Sequence, residues 1–321
     1  MKLTKLDKAC RIAITDCMAT KKKEKVLVVT DELTNEIGQA LYKNALDLGH
    51  ESLYVEIKSW ETHGQEPPKY VADLMKEFDV VLLPTRKSLT HTDARRSACA
   101  LGARAATFPG ITTDVMIRGL SADYKKIAAL TLKMKKVFDK TDDVRITAPN
   151  GTDISLKIGG RKAIASKGLF HKKGEGGNLP TGETFAAPVE GSANGIFVVD
   201  GSMSGIGVIG KQPIKIVVEN GFATKITGGV KAKKLIKMLD AHGKMARNIA
   251  ELGIGANDKA KLNGNLLEDE KVLGTVHLAL GNNITMGGNV NVPIHLDGVI
   301  TKPTVYFDGK EVMKNGKLLI K

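Results

Sequence analysis

The first 140 residues alternate short apolar runs with amphipathic stretches of helical period, an order that few folds can accept. Lys25-Val-Leu-Val-Val-Thr30 reads as a strand, the periodic segment from Asp31 to Leu48 closed by Gly49 as a helix, and Ser52 to Ile57 as the next strand. The pattern continues with a helix around Lys69 to Phe78, a strand Asp79 to Leu83, a helix from about Thr92 to Arg104 and a short strand Ala105 to Phe108. Helical periods around Thr113 to Arg118 and Ser121 to Asp139 complete it. Strands separated by helices are joined by crossovers and therefore lie parallel. The spacing predicts a doubly wound, Rossmann-like α/β domain over residues 1–140.

From Asp143 the texture changes. Arg145-Ile-Thr-Ala-Pro-Asn150-Gly151-Thr-Asp-Ile-Ser-Leu-Lys157 holds an Asn-Gly turn between two alternating runs, a hairpin signal. Residues 141–321 are predicted to form a β-rich α+β metal-binding domain. It would contain a Gly-rich loop from Lys173 to Gly182, strands at Gly195 to Asp200 and Ile214 to Glu219, and one long helix from Val230 to Glu251. Two domains suit 321 residues, since single cores stop growing at roughly 250–300.

Two late strands carry chemistry. In Thr275-Val276-His277-Leu278-Ala279-Leu280, Val276, Leu278 and Leu280 share one face and His277 takes the other. Ile294-His295-Leu296-Asp297 divides in the same way, which puts His295 and Asp297 on one face roughly 6.6 Å apart along the strand. An imidazole nitrogen and a carboxylate oxygen so placed can share an ion at about 2.0–2.2 Å from each. Two further carboxylates are candidates. Glu183 lies in Asn178-Leu-Pro-Thr-Gly-Glu-Thr-Phe-Ala-Ala-Pro, leading into an apolar segment. Glu251 is expected at the C-terminal end of the long helix, where the partial negative charge disfavours an acid and calls for a compensating cation.

Other function classes fare less well. The formal charge of +13, from 48 Lys and Arg against 35 Asp and Glu, invites a nucleic-acid partner. Aromatics are only 4%, however, and the lysines of 21–25, 125–136 and 231–237 fall at the intervals of solvated helix faces, so none is expected. No apolar run approaches the roughly 20 residues of a membrane helix. Lys5, Asp7, Lys8 and Arg11 interrupt the segment in which a signal peptide has its apolar core, so no membrane association and a cytoplasmic location are expected.

Cys10, Cys17 and Cys99 lack CxxC spacing, which argues against disulfides or a thiolate metal site; Cys10 and Cys17 are expected on one buried helix face. Gly205-Ile-Gly207-Val-Ile-Gly210 matches GxGxxG but leads into another strand instead of opening a helix, so no dinucleotide site is expected. Ser88-Leu-Thr-His91-Thr92-Asp93-Ala-Arg95-Arg96 opens a helix with Thr92 as N-cap, and its free N–H groups together with Arg95 are a candidate carboxylate site.

The segments NLPTGETFAAP, ELGIGAN, GTVHLALGNN and PIHLDG, in this order, resemble the thermophilic metalloaminopeptidase family that includes aminopeptidases T and S. SLTHTDARRSA looks like that family's N-terminal-domain motif. The resemblance implies that Glu183, Glu251, His277, His295 and Asp297 bind a pair of divalent ions, Zn, Co or Mn. It further implies a homodimeric hydrolase acting on peptide substrates from their N-termini. The catalytic role then falls on Glu251, which would bridge two ions that activate a shared water. Glu190, Glu268 and Glu270 are candidates for moving the proton. The family's Tyr after the GTVHLALG His is missing here, with Ile284 near its place.

A second reading starts from the same residues. His277, His295 and Asp297 alone form the donor set of mononuclear non-haem iron oxygenases. A ring-cleaving dioxygenase of the dihydroxypyridine type, which is similar to the same superfamily, would hold one Fe(II) there.

Overall fold

The computed structural model describes residues 2–320. The chain forms two compact units, one made of the residues up to Ala128 with Ser166–Thr181, the other of Ala129–Ala165 with everything from Gly182 onward. It thus passes between units three times, where the sequence reading draws one boundary at 140. Among the described residues the strands make three sheets, of five, eight and seven members.

The first unit is built on the five-stranded sheet. Its order is Ser52–Ile57, Val26–Asp31, Val80–Leu83, Arg104–Thr107, Gly176–Asn178, and every pairing is parallel. Leu27, Val29, Val81 and Leu83 pack with Val71, Ala94 and Ala98 of the connecting helices. The alternate side chains Val26, Val28, Val80 and Leu82 are equally buried, so these central strands read as continuous apolar runs.

The strand Gly176–Asn178 corrects the expected loop of 173–182. Glycines display no side-chain period, and their bareness permits the close fit: a Cβ on Gly176 would lie 2.6 Å from the Ala105 carbonyl oxygen. Cys10 and Cys17 are both buried, in a helix Lys5–Ile12 that widens into a π-turn at Ala13–Cys17. No helix among the described residues is long and apolar enough to cross a membrane.

In the second unit the eight- and seven-stranded sheets share one apolar core. Val144, Ile146, Ile154, Phe197, Ile214 and Ile216 from the first meet Leu252, Ile254, Val276, Leu278, Leu280 and Ile300 from the second. The Asn-Gly turn joins Asp143–Thr147 to Asp153–Lys157 as an antiparallel pair, with Gly151 at φ +96.

The long helix predicted for 230–251 is instead Gly229–Asp240. Gly243, at φ +73, breaks the chain away, a 3₁₀ turn Lys244–Arg247 follows, and Ile249–Gly255 is a strand. Glu251 therefore stands inside a sheet, and the helix-terminus argument for it fails.

Candidate metal centre

Four neighbouring strands of the seven-stranded sheet build the site: Glu183–Ala186, Ile249–Gly255, Val276–Gly281 and His295–Ile300, all antiparallel to their neighbours. Register does the positioning. Gly255 pairs with Glu183, Glu251 with Ala279, Gly253 with His277, and Ala279 with Asp297. Side chains opposite one another in a ladder share a face, so Glu183, Glu251, His277 and Asp297 project together. His295, two residues before Asp297, joins them. Val276, Leu278, Leu280, Leu252, Leu296 and Ile300 fill the opposite, core face.

Glu251 reaches this face through an irregularity. Ile249 pairs with Leu280 and Glu251 with Ala279, so two steps on one strand match one on the other and Ala250 is the extra residue of a β-bulge. Ile249 packs in the core while Glu251, only two residues on, faces the site.

The five residues expected as ligands lie together. His277 Nε2 is 3.1 Å from Glu251 Oε1 and 3.5 Å from Glu183 Oε2. His295 Nε2 is 3.3 Å from Glu251 Oε2 and 3.2 Å from Asp297 Oδ1. The donors of Glu183, Glu251 and His277 form one group within 4.8 Å of one another, and those of Glu251, His295 and Asp297 form a second. Around one octahedral ion at about 2.1 Å, adjacent donors stand about 3 Å apart. The separations seen here are of that size, so the residues fit a metal ion. Of the five, only His295 has substantial exposure, 31% of its side chain.

Neighbours orient the donors. His295 Nδ1 is 2.8 Å from the Asn282 carbonyl, an acceptor that keeps a proton on Nδ1 and leaves Nε2 to face Glu251 and Asp297. The Asp297 amide donates to Ser204 Oγ at 2.8 Å, and that hydroxyl lies 3.4 Å from Asp297 Oδ2. Gly253 provides room, since a Cβ there would sit 2.0 Å from His277 Nε2.

Without a metal, charge is traded among the donors. Burial pushes the His277 imidazole down, but the hydrogen bond to Glu251 and the charges of Glu183 and Glu251 outweigh it and raise it to about 9. Burial likewise opposes, and Asp297 and Glu251 overcome, in raising His295. The hydrogen bonds from His277 and His295 hold Glu251 below the usual carboxylate range despite its burial, and His295 does so for Asp297. Burial raises Glu183, against the pull of Lys271 and His277.

Lys271 was not foreseen from the sequence. Its Nζ lies 2.9 Å from Glu183 Oε1 and also pairs with Glu270, and its side chain is 2% exposed. Charges this deeply buried persist only when paired. Of the acids considered for proton movement, Glu270 borders the site, and burial together with the charges of Glu183 and Asp297 lifts it to about 8 against the pull of Lys271. Glu268 is occupied in holding a loop, accepting from the Lys261 amide and from Asn263 Nδ2. Glu190 pairs with Arg161 and accepts from the Asn289 amide. Ile284 is exposed in a 3₁₀ turn.

The helix expected after Thr92 is Asp93–Ala100, capped by Thr92 Oγ1 on the Arg95 amide at 3.3 Å. Its first amides are taken from within the chain: Glu66 accepts from Asp93 N at 2.6 Å and Ala94 N at 3.0 Å. The carboxylate sought there as a ligand is the protein's own.

Known proteins share this fold. The structure of 2,5-dihydroxypyridine dioxygenase from Pseudomonas putida superposes with a TM-score of 0.84 at 18% identity, covering 99% of this chain and 98% of that one. AmpT from Thermus thermophilus gives 0.66 at 15% identity, covering 98% and 99%, and so shares the aminopeptidase-type fold. In sequence, the 2,5-dihydroxypyridine 5,6-dioxygenase of Pseudomonas putida is 23% identical over 223 residues, a match spanning 64% of this chain and 62% of that relative.

The NicX model, described as 2,5-dihydroxypyridine 5,6-dioxygenase, matches residues 5–320. That match overturns the expected peptide hydrolase, and the pair of Zn, Co or Mn ions loses its support. The four segments that resembled aminopeptidases lie in a fold shared by a hydrolase and a dioxygenase, and so do not distinguish hydrolysis from oxidation. With nearly all of its length matched, the chain belongs to the NicX family.

Proposed function

We propose that the protein is a ring-cleaving dioxygenase that holds one Fe(II) through His277, His295 and Asp297 and acts on a dihydroxylated pyridine. The observation that carries this reading is the convergence of two imidazoles and one carboxylate on one face of adjacent strands, with His295 Nε2 3.2 Å from Asp297 Oδ1 and both imidazoles held against Glu251. A two-histidine, one-carboxylate face leaves coordination positions open on one side. When bound, the iron would supply the one-electron chemistry by which dioxygen can react with a closed-shell ring. The family match supports the substrate class.

The chain's own groups have separate tasks in this scheme. His295, the most exposed donor, marks the side from which a ring approaches. Glu251 hydrogen-bonds both imidazoles through different oxygens. With both imidazoles turned to a metal, those Glu251 oxygens would be free to take the proton that a ring hydroxyl gives up. Glu183 Oε2, buried and with no hydrogen-bond partner among the described residues, is a further acceptor beside His277. Glu183, Glu251, His277 and Asp297 are buried, which keeps bulk water from that exchange.

The test is anaerobic loading of metal-free protein with Fe²⁺, followed by oxygen uptake with 2,5-dihydroxypyridine. We expect uptake in step with loss of ring absorbance, and neither in Asp297→Asn. Iron-loaded protein that consumes no oxygen across a panel of dihydroxypyridines and catechols would end this reading.

A further inference from the structure

Glu183, Glu251 and His277 form a second donor group, and with His277 committed to the iron, Glu183 and Glu251 still offer two carboxylates to a second ion. Something must keep that second place from filling if the centre is to hold one iron. The side chain set against this second place is Lys271. It approaches from the segment after the short helix Leu266–Asp269, and its ammonium takes the Oε1 side of Glu183 at 2.9 Å.

The backbone fixes this approach. The Lys271 amide donates to the Glu268 carbonyl at 2.9 Å, and the Asn257 amide donates to the Lys271 carbonyl at 2.8 Å. Gly255, on the Glu251 strand, is bare where the segment crosses it: a Cβ there would lie 2.1 Å from the Val272 carbonyl oxygen. Lys271 is thus built into the site, with no solvent path for its charge.

Resting on the one-iron reading above, we infer that Lys271 keeps this centre mononuclear, its ammonium standing in for the second divalent ion. Glu183, Glu251 and Asp297 supply three carboxylates around the two places. The ammonium and one divalent ion bring three positive charges to meet them. The ammonium and two such ions would bring five, an excess that a buried site does not tolerate. With the ammonium removed, two divalent ions bring four, an excess of one in place of two, and Glu183 and Glu251 become a second site.

The experiment is metal stoichiometry, with Mn²⁺ as probe, on full-length protein stripped of metal. Bound Mn²⁺ per chain is measured by equilibrium dialysis, and electron paramagnetic resonance reports whether neighbouring ions are coupled. Wild type and Lys271→Arg, which keeps the cation, should each bind one ion and give an uncoupled signal. Lys271→Gln, whose amide can still hydrogen-bond Glu183, and Lys271→Met should rise from one ion to two, with a coupled signal. Both are purified with Mn²⁺ present. A variant that fails to fold even then counts against the inference, because two bound ions would have replaced the missing charge. If wild type binds one and the neutral variants also bind one, the inference falls and the one-iron reading stands. If wild type binds two, both fall.

Discussion

Gly253 lies directly across from His277 on the neighbouring strand, and a methyl group on Gly253 would occupy the space of the His277 Nε2 atom, 2.0 Å away. His277 is fully buried and its ring cannot keep its place beside an added methyl group. Gly253→Ala should therefore leave the sheet paired but tilt the imidazole away from Glu251, lowering metal affinity at least tenfold. Isothermal titration with Mn²⁺ or Fe²⁺ measures this, and unchanged affinity would show that His277 Nε2 is not a donor.

Ser204 does not touch the ion position, yet it fixes Asp297 from both backbone and side chain. Ser204→Ala should weaken metal binding by about 10- to 100-fold, the usual cost of losing a partner behind a ligand. Circular dichroism should remain that of the wild type.

Glu183→Gln separates structural from metal roles. Lys271 would keep Glu270 but lose its charged partner at 2.9 Å, a loss of about 2 kcal/mol for a hydrogen bond between charged groups. One bound ion should remain, because His277, His295 and Asp297 are untouched. Thermal melting and metal analysis on the same sample check both halves.

Leu278 stands on the same strand as His277 but faces the core. Leu278→Ala should cost about 2–5 kcal/mol of stability through the cavity it leaves. Chemical denaturation reads this directly, and metal content in the folded fraction should not change.

Acid should act on the first helix through Asp7. Hydrogen bonds from the Thr4 side chain, from Asn44 and from the Thr4 amide lower its pKa to about 2, below the roughly 3.9 of an unfolded chain. A depressed carboxylate adds stability above its unfolded pKa and loses it as the pH falls through the folded one. The melting-temperature difference between wild type and Asp7→Asn should therefore be full near neutrality and shrink as the pH is taken from about 4 to about 2. A difference that stays constant over that range would mean that the charge is not what the cap uses.

Period-2 alternation placed His277, His295 and Asp297 on one face without any structure, because each strand is regular where those residues stand. The same reasoning failed for Glu251, since the bulge at Ala250 puts Ile249 and Glu251 on opposite faces and destroys the alternation just where it was needed. The preceding lysine-rich helix then seemed to run through. Its end at Asp240 is set by Gly243, a signal that was present and outweighed by the apolar period.

Lys271 sits in Leu267-Glu-Asp-Glu-Lys271, which reads as a solvated charged run. Its burial comes from the approach of that segment to Gly255, a tertiary contact without local signature. Reaction class was beyond the donor set altogether, because the metal-bearing segments resemble those of a hydrolase family.

The glycine-rich strand Gly176–Asn178 also bears on how the molecule comes into being. During synthesis the chain emerges from its N-terminus, and Arg104–Thr107, whose four residues are buried, waits as a bare sheet edge until Asn178 has been made. By then the hairpin Asp143–Lys157 of the other unit has already been made. The first unit is completed only after part of the second has been made, so a gene fragment ending at residue 140 encodes four strands of a five-stranded sheet and an edge prone to pairing with other chains.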